Sequence, residues 1–212
     1  MANPFNENSF HQLPLVVILR GFDLEQACAI VRACQAGGLT TLEITMNSQA
    51  PETQIQEAIQ VSGGRMNIGA GTVTSPSKLE SALGAGASFI VTPTLDSSLV
   101  STCRTERVPI FPGAWTPTEI HQAWDAGAHM VKVFPSHIHG PKYIKALRGP
   151  FPDIPLMPTG GVNLDTIGDY LKAGASGFGI GSPVLNPERI RAKDWAWLTD
   201  QVERFREIYS DF

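Results

Sequence analysis

The sequence predicts an α/β fold, a single-domain (β/α)8 TIM barrel spanning residues 1–212, with 1–12 as a polar N-terminal extension. Three observations predict it. Short β-rich runs alternate with longer helical stretches from end to end, the strand-like runs number eight, and an Ala-Gly pair ends a helix before every second strand.

The elements follow in order. Leu15–Leu19 is the first strand, and Asp23 can cap the helix after it. Thr41–Thr45 is the second strand and Asn67–Thr72 the third, followed by Ser75-Pro76, a cap residue before a proline at the first helical position. Phe89–Pro93 and Val108–Pro112 are the fourth and fifth, and Thr116-Pro117-Thr118-Glu119 then has the spacing of a capping box. Met130–Phe134 is the sixth, Pro155–Thr159 the seventh with Asn163 as its helix cap, and Gly177–Gly181 the eighth. Asn186-Pro187 starts another helix, and Lys193–Tyr209 reads as the last, amphipathic one. The pairs Ala36-Gly37, Ala85-Gly86, Ala126-Gly127 and Ala173-Gly174 mark off intervals of two strand–helix units, glycine suiting the left-handed turn after a helix. A doubly wound open sheet is the competing architecture.

Composition narrows the class of function. With 17% charged residues and a net charge of −4, the chain has neither the bias of a disordered segment nor that of a nucleic-acid binder, and any anion must be held locally. No apolar run reaches membrane-spanning length, so no membrane partner is expected. The first twelve residues lack the basic and apolar regions of a secretory signal, and the three cysteines, Cys28, Cys34 and Cys103, have no CxxC spacing. Free thiols and a cytoplasmic location are the expectation.

Barrel strands are buried on both faces, so a charge inside one needs a reason. Of the six lysines only Lys132 falls in a strand core, Val131-Lys132-Val133-Phe134, and of the twenty acids only Glu43 does, in Thr41-Leu42-Glu43-Ile44-Thr45. Alternation turns Lys132 and Phe134, and Thr41, Glu43 and Thr45, inward. The second and sixth strands lie across a barrel from each other, so the lysine and the glutamate can approach one small ligand from opposite walls. A buried ion pair without chemistry is the plainer alternative, but such pairs stabilise little. Desolvation lowers a lysine's pKa and leaves more of the neutral amine that attacks a carbonyl.

Glycine-rich loops follow the seventh and eighth strands, in Pro158-Thr159-Gly160-Gly161-Val162-Asn163 and Gly179-Ile180-Gly181-Ser182-Pro183. Loops at these places commonly hold phosphate through backbone N–H groups, and tight turns are the ordinary alternative. Arg20, ending the first strand, can bind a carboxylate or phosphate bidentately or form a rim salt bridge. His137-Ile138-His139 lacks a third ligand nearby, so no metal site is expected. Cys28 and Cys34 read as packing residues, Trp195 and Trp197 as packing or interface residues.

From about Leu13 to Ile208 the chain resembles the class I aldolases of 2-keto-3-deoxy-6-phosphogluconate (KDPG) and 2-keto-3-deoxy-6-phosphogalactonate (KDPGal). The resemblance rests on the joint order of Leu42-Glu43-Ile44-Thr45, Gly69-Ala70-Gly71-Thr72-Val73, Val91-Thr92-Pro93, Phe111-Pro112-Gly113, Val131-Lys132-Val133-Phe134-Pro135, Pro158-Thr159-Gly160-Gly161 and Gly181-Ser182. It implies Lys132 as the Schiff-base lysine and Glu43 as the general acid/base. It further implies substrate contacts from Thr72, Pro93, Phe134 and Thr159, phosphate contacts from Gly160, Gly161, Gly181 and Ser182, a homotrimer, and no cofactor. The phosphogluconate branch commonly has arginine where this chain has Asn47. Asn47-Ser48, Ile18-Leu19-Arg20-Gly21 and Phe134-Pro135-Ser136 look more like the phosphogalactonate branch, which makes Asn47 and Arg20 candidate substrate contacts.

The reaction implied is cleavage of a phosphorylated 2-keto-3-deoxy sugar acid to pyruvate and glyceraldehyde 3-phosphate. The competing readings are a 4-hydroxy-2-oxoglutarate aldolase, a phosphosugar isomerase or epimerase barrel, and a non-catalytic phosphate-metabolite binder.

Overall fold

A computed structural model describes residues 4–211. Its strands are β1 (Leu15–Leu19), β2 (Thr41–Thr45), β3 (Asn67–Gly71), β4 (Ile90–Val91), β5 (Ile110–Phe111), β6 (Gly113–Ala114), β7 (Val131–Val133), β8 (Leu156–Pro158) and β9 (Phe178–Ile180). The helices are α1 (Glu7–Gln12), α2 (Leu24–Ala36), α3 (Pro51–Ser62), α4 (Pro76–Gly84), α5 (Ser97–Glu106), α6 (Pro117–Ala126), α7 (Pro141–Leu147), α8 (Ile167–Lys172), α9 (Pro187–Arg191) and α10 (Trp195–Ser210).

Parallel strands pair in two curled sheets, one ordered β5-β4-β3-β2-β1-β9 and one ordered β6-β7-β8. The first strand therefore lies beside the last. Backbone contacts also run between the sheets: Thr159 bridges Gly179 in parallel, and His129 N–H donates to Ile110 O at 2.9 Å. The fifth expected strand, Val108–Pro112, differs from the observed one. Pro112 has no N–H to give a ladder, so the run breaks there into β5 and β6, while the Pro112 carbonyl still accepts from Lys132 N–H at 2.9 Å.

Alternation along the strands separates two cores. Leu15, Val17, Ile90 and Ile110 face the helices, whereas Val16, Phe89, Val91 and Phe111 face the other way and join Phe10, Met130 and Met157. The helix starts carry the expected caps at Asp23, Ser75, Thr116 and Asn186. Asn163 instead orders a turn, accepting from Asp165 and Thr166 N–H, and α8 starts only at Ile167. Among the described residues no helix is long and apolar enough to cross a membrane.

Residues 1–12, expected as a polar extension, do more than extend the chain in their described part; the first three lie outside the described residues. Phe10 of α1 is fully buried, stacked on Phe111 at 5.7 Å between ring centroids, and Phe5 meets Phe10, Phe89 and Phe111. Two phenylalanines within a polar stretch are enough to seat it on the inner core. Phe10→Ala is expected to lower the unfolding free energy by about 3–5 kcal/mol, measured by urea denaturation.

Candidate active site

The C-terminal ends of the strands open into a cavity of about 480 Å³. Its lining includes Arg20 after β1, Thr72 after β3, Pro93 after β4, Lys132 of β7, Phe134, Thr159 and Gly160 after β8, and Gly181 and Ser182 after β9. Most residues singled out in the sequence therefore share one hollow, because every parallel strand delivers its end to the same face.

Lys132 is 6% exposed, with Nζ 5.3 Å from the centroid of the Phe134 ring. Glu43 lies below the lining at 1% exposure. Neither of its carboxylate oxygens has a hydrogen-bond partner among the described residues. Gly71, its neighbour on β3, makes the room: a Cβ there would overlap Glu43 Oε1 and lie 2.6 Å from Cδ. Burial pushes the Glu43 carboxyl up from its ordinary range, and the charges of Lys132 and Arg20 oppose this only in part. Burial likewise pushes Lys132 down; Glu43 opposes the shift and Arg20 adds to it. Both groups are driven toward their neutral forms, an amine and a carboxylic acid.

A carboxyl whose folded pKa lies above its unfolded one contributes stability that is full below the unfolded value and is lost as pH rises through the folded value. Glu43→Gln is therefore expected to match the parent protein in acid and to become the more stable of the two as pH rises past the usual carboxylate range. Melting temperatures across pH 4–9 check this.

The glycine loops present bare backbone. Among the described residues the N–H groups of Gly160, Gly161, Gly181 and Ser182 donate to no protein acceptor. Gly160 and Gly161 have φ of 88° and 80°, in the left-handed region, and a Cβ on Gly161 would come within 2.5 Å of His137 Cβ. Unused N–H groups on a concave backbone are suited to an anion. Arg20 donates from Nη2 to Thr72 Oγ1 at 3.1 Å and enters no ion pair among the described residues, so its other donors face the cavity free. Thr72, expected inside a strand, lies just beyond β3 with φ 56°.

Besides Glu43, which lies below the lining, two expected site residues are not in it. Asn47 is exposed beyond the end of β2, and Gly161 is exposed behind Gly160. Conversely Ile18, Phe22, Gly179, Leu185 and Pro187 line the cavity without having been singled out as site residues. Ile18 could have been found by alternation with Val16 along β1; Phe22, Leu185 and Pro187 sit in loops or at a helix start, where no periodicity points the way. Among the described residues no group of three His, Cys, Asp or Glu side chains could hold a metal.

The family model for KDPG and KHG aldolase matches residues 6–201. Among curated relatives, the 2-dehydro-3-deoxy-6-phosphogalactonate aldolase of Escherichia coli K12 is 37% identical over 172 residues, covering 81% of this chain and 84% of that protein. The 2-dehydro-3-deoxy-phosphogluconate aldolase of Pseudomonas aeruginosa is 37% identical over 201 residues, covering 92% and 89%. A solved structure of native KDPGal superposes with a TM-score of 0.88 at 32% identity, covering 98% of both chains. The KDPG aldolase of Legionella pneumophila, with pyruvate captured as a covalent carbinolamine intermediate, superposes with a TM-score of 0.85 at 27% identity, covering 92% and 95%.

Proposed function

Because the chain belongs to the KDPG and KHG aldolase family, we propose that it cleaves a 2-keto-3-deoxy-6-phospho-sugar acid, of gluconate or galactonate configuration, to pyruvate and glyceraldehyde 3-phosphate, with Lys132 as the Schiff-base nucleophile. The observation that carries this is a strand-borne lysine buried in the cavity, within reach of the charge of a buried glutamate whose carboxyl has no hydrogen-bond partner among the described residues. Membership of the family sets aside the isomerase, epimerase and non-catalytic readings.

The shifts of both groups toward their neutral forms suit the first step. The Lys132 amine attacks the C2 ketone and gives a carbinolamine. Glu43, as the acid, protonates the departing hydroxyl; water leaves, and an iminium cation forms beside the new carboxylate, which it stabilises. The carboxylate takes the C4 hydroxyl proton, the C3–C4 bond breaks toward the iminium, and glyceraldehyde 3-phosphate departs from an enamine. Glu43 returns the proton to the enamine carbon. Water adds to the second iminium, Glu43 takes up its proton, and collapse frees pyruvate and the amine. Thr72, Pro93, Phe134 and Thr159 shape the space around the reacting carbons. The bare N–H groups of Gly160, Gly181 and Ser182 hold the phosphate, with Gly161 shaping the loop behind them, and fix the scissile bond by binding at the far end. Arg20 holds the carboxylate end, and Asn47, outside the lining, is left to the rim.

The two sheets are read as one closed (β/α)8 barrel in which β5 and β6 are halves of a single strand, supported by the bridge of Thr159 to Gly179 and by the Pro112 break. The enzyme is read as one domain whose free Cys28, Cys34 and Cys103 thiols suit a reducing cytoplasm, acting as a homotrimer, as the resemblance implies.

Turnover of both phosphorylated epimers and of 4-hydroxy-2-oxoglutarate tests the substrate reading. A phosphorylated substrate is expected to lead in kcat/KM by about 100-fold or more, the worth of several charge-assisted hydrogen bonds. Equal or better turnover of 4-hydroxy-2-oxoglutarate would show that the loops do not serve a phosphate.

A further inference from the structure

Arg20 enters the cavity from a loop, and a loop side chain holds its aim only as well as the loop is held. Two side chains outside the cavity lining hold it. Gly21 N–H donates to Ser48 Oγ at 3.2 Å, and Ser48 Oγ lies 3.0 Å from Thr45 Oγ1. Gln54 of α3, 1% exposed, uses its amide nitrogen to donate to the carbonyls of Phe22 and Gln49, both at 2.9 Å. The segment after β2 is in turn fixed to the end of β3, since Met46 N–H donates to Gly71 O at 2.7 Å. Arg20 closes the circuit through Thr72 Oγ1.

The circuit thus joins the ends of β1, β2 and β3, and the guanidinium is its last link. Gln54 takes part at a cost, because its Oε1 is buried without a partner. A packing residue would not need to leave that oxygen bare in order to aim its N–H groups at two loop carbonyls.

We infer that Ser48 and Gln54 are positioning residues that set the place of the Arg20 guanidinium and so the enzyme's hold on the anionic end of its substrate. This rests on the reading of Arg20 as a substrate contact. Neither residue contacts the reacting carbons, so their effect falls on KM and leaves kcat nearly unchanged.

A double-mutant cycle tests it, using steady-state kinetics on the phosphorylated keto acid that the parent enzyme turns over. Ser48→Ala is expected to raise KM roughly fivefold, the worth of one neutral hydrogen bond, with kcat within about twofold. Ser48→Thr, which keeps the hydroxyl, is expected to restore the parent KM. Gln54→Glu removes both donations and is expected to raise KM roughly tenfold or more. In an Arg20→Ala background neither change should raise KM further. A rise of equal size in both backgrounds, or an unchanged KM in Ser48→Ala and Gln54→Glu, overturns the inference, whatever happens to the melting temperature. Borohydride trapping of pyruvate on the parent enzyme is read alongside. A Lys132 adduct without KM coupling refutes the positioning role alone, whereas no adduct refutes the aldolase reading and the inference together.

Discussion

Exchanging Lys132 for methionine is expected to cut turnover about 10⁴-fold or more and, in the same molecule, to raise the melting temperature. The loss follows from chemistry. A thioether cannot add to a ketone, and among the described residues no other strand presents an amine to the cavity. The gain follows from burial. An ammonium with 6% of its surface exposed has given up most of its hydration, and a methionine fills similar space without that cost. Burial also pushes the partner left behind, Glu43, toward its protonated acid, which tempers the cost of removing the cation. A lysine whose folded pKa lies below its unfolded one contributes stability present above the unfolded value and lost as pH falls through the folded value. The variant's lead should therefore grow as pH falls from the alkaline side. The gain near neutrality is expected at about 1–2 kcal/mol. Calorimetry against pH measures it, and borohydride with pyruvate must label the parent at Lys132 and leave the variant unlabelled. Label on the variant, or on another lysine of the parent, sinks the nucleophile assignment.

Gly71→Ala is the second change of large expected effect. Its new methyl group would occupy the place of the Glu43 carboxyl, 2.6 Å from Cδ and overlapping Oε1. Glu43 belongs to a strand buried at every residue, so its side chain must rotate toward the cavity or β3 must shift. Overpacking of this kind costs about 1–3 kcal/mol of stability. The larger consequence is kinetic, since displacing an acid/base by about 1 Å is expected to lower kcat about 100-fold. Lys132 sits on another strand, so pyruvate should still be trapped there. A variant with parent kcat would show that the Glu43 carboxyl does not act from this place.

Much of this arrangement could be read from the sequence because buried parallel strands leave little freedom. A lysine or glutamate inside an aliphatic run stands out against it, and alternation tells which way it points; that is how Lys132 and Glu43 came forward. Glycine loops were legible through their position after the late strands. What the sequence hid lies in the loops. Phe22 and Leu185 reach the cavity through loop paths with no period, and Gln54 looks like any polar helix residue until the carbonyls of Phe22 and Gln49 come up against it. Asn47 drew notice by its place in a motif, yet it turns to solvent once the chain leaves β2. Pro112 was placed at the end of a strand, and only the ladder reveals that pairing resumes beyond it.

On the proposed assignment, unused N–H groups of Gly160, Gly181 and Ser182 at the phosphate and the Arg20 guanidinium at the carboxylate divide the substrate's two ends by heredity as much as by chemistry. Every amino acid except proline carries that donor, so most exchanges at neighbouring positions leave it standing, and only a residue that cannot adopt the left-handed turn removes it. The opposite end depends on one arginine and on the side chains that aim it, each erasable by a single codon. Descendants of such a protein can change which acid they recognise at the Arg20 end, or how tightly, while inheriting the phosphate seat intact.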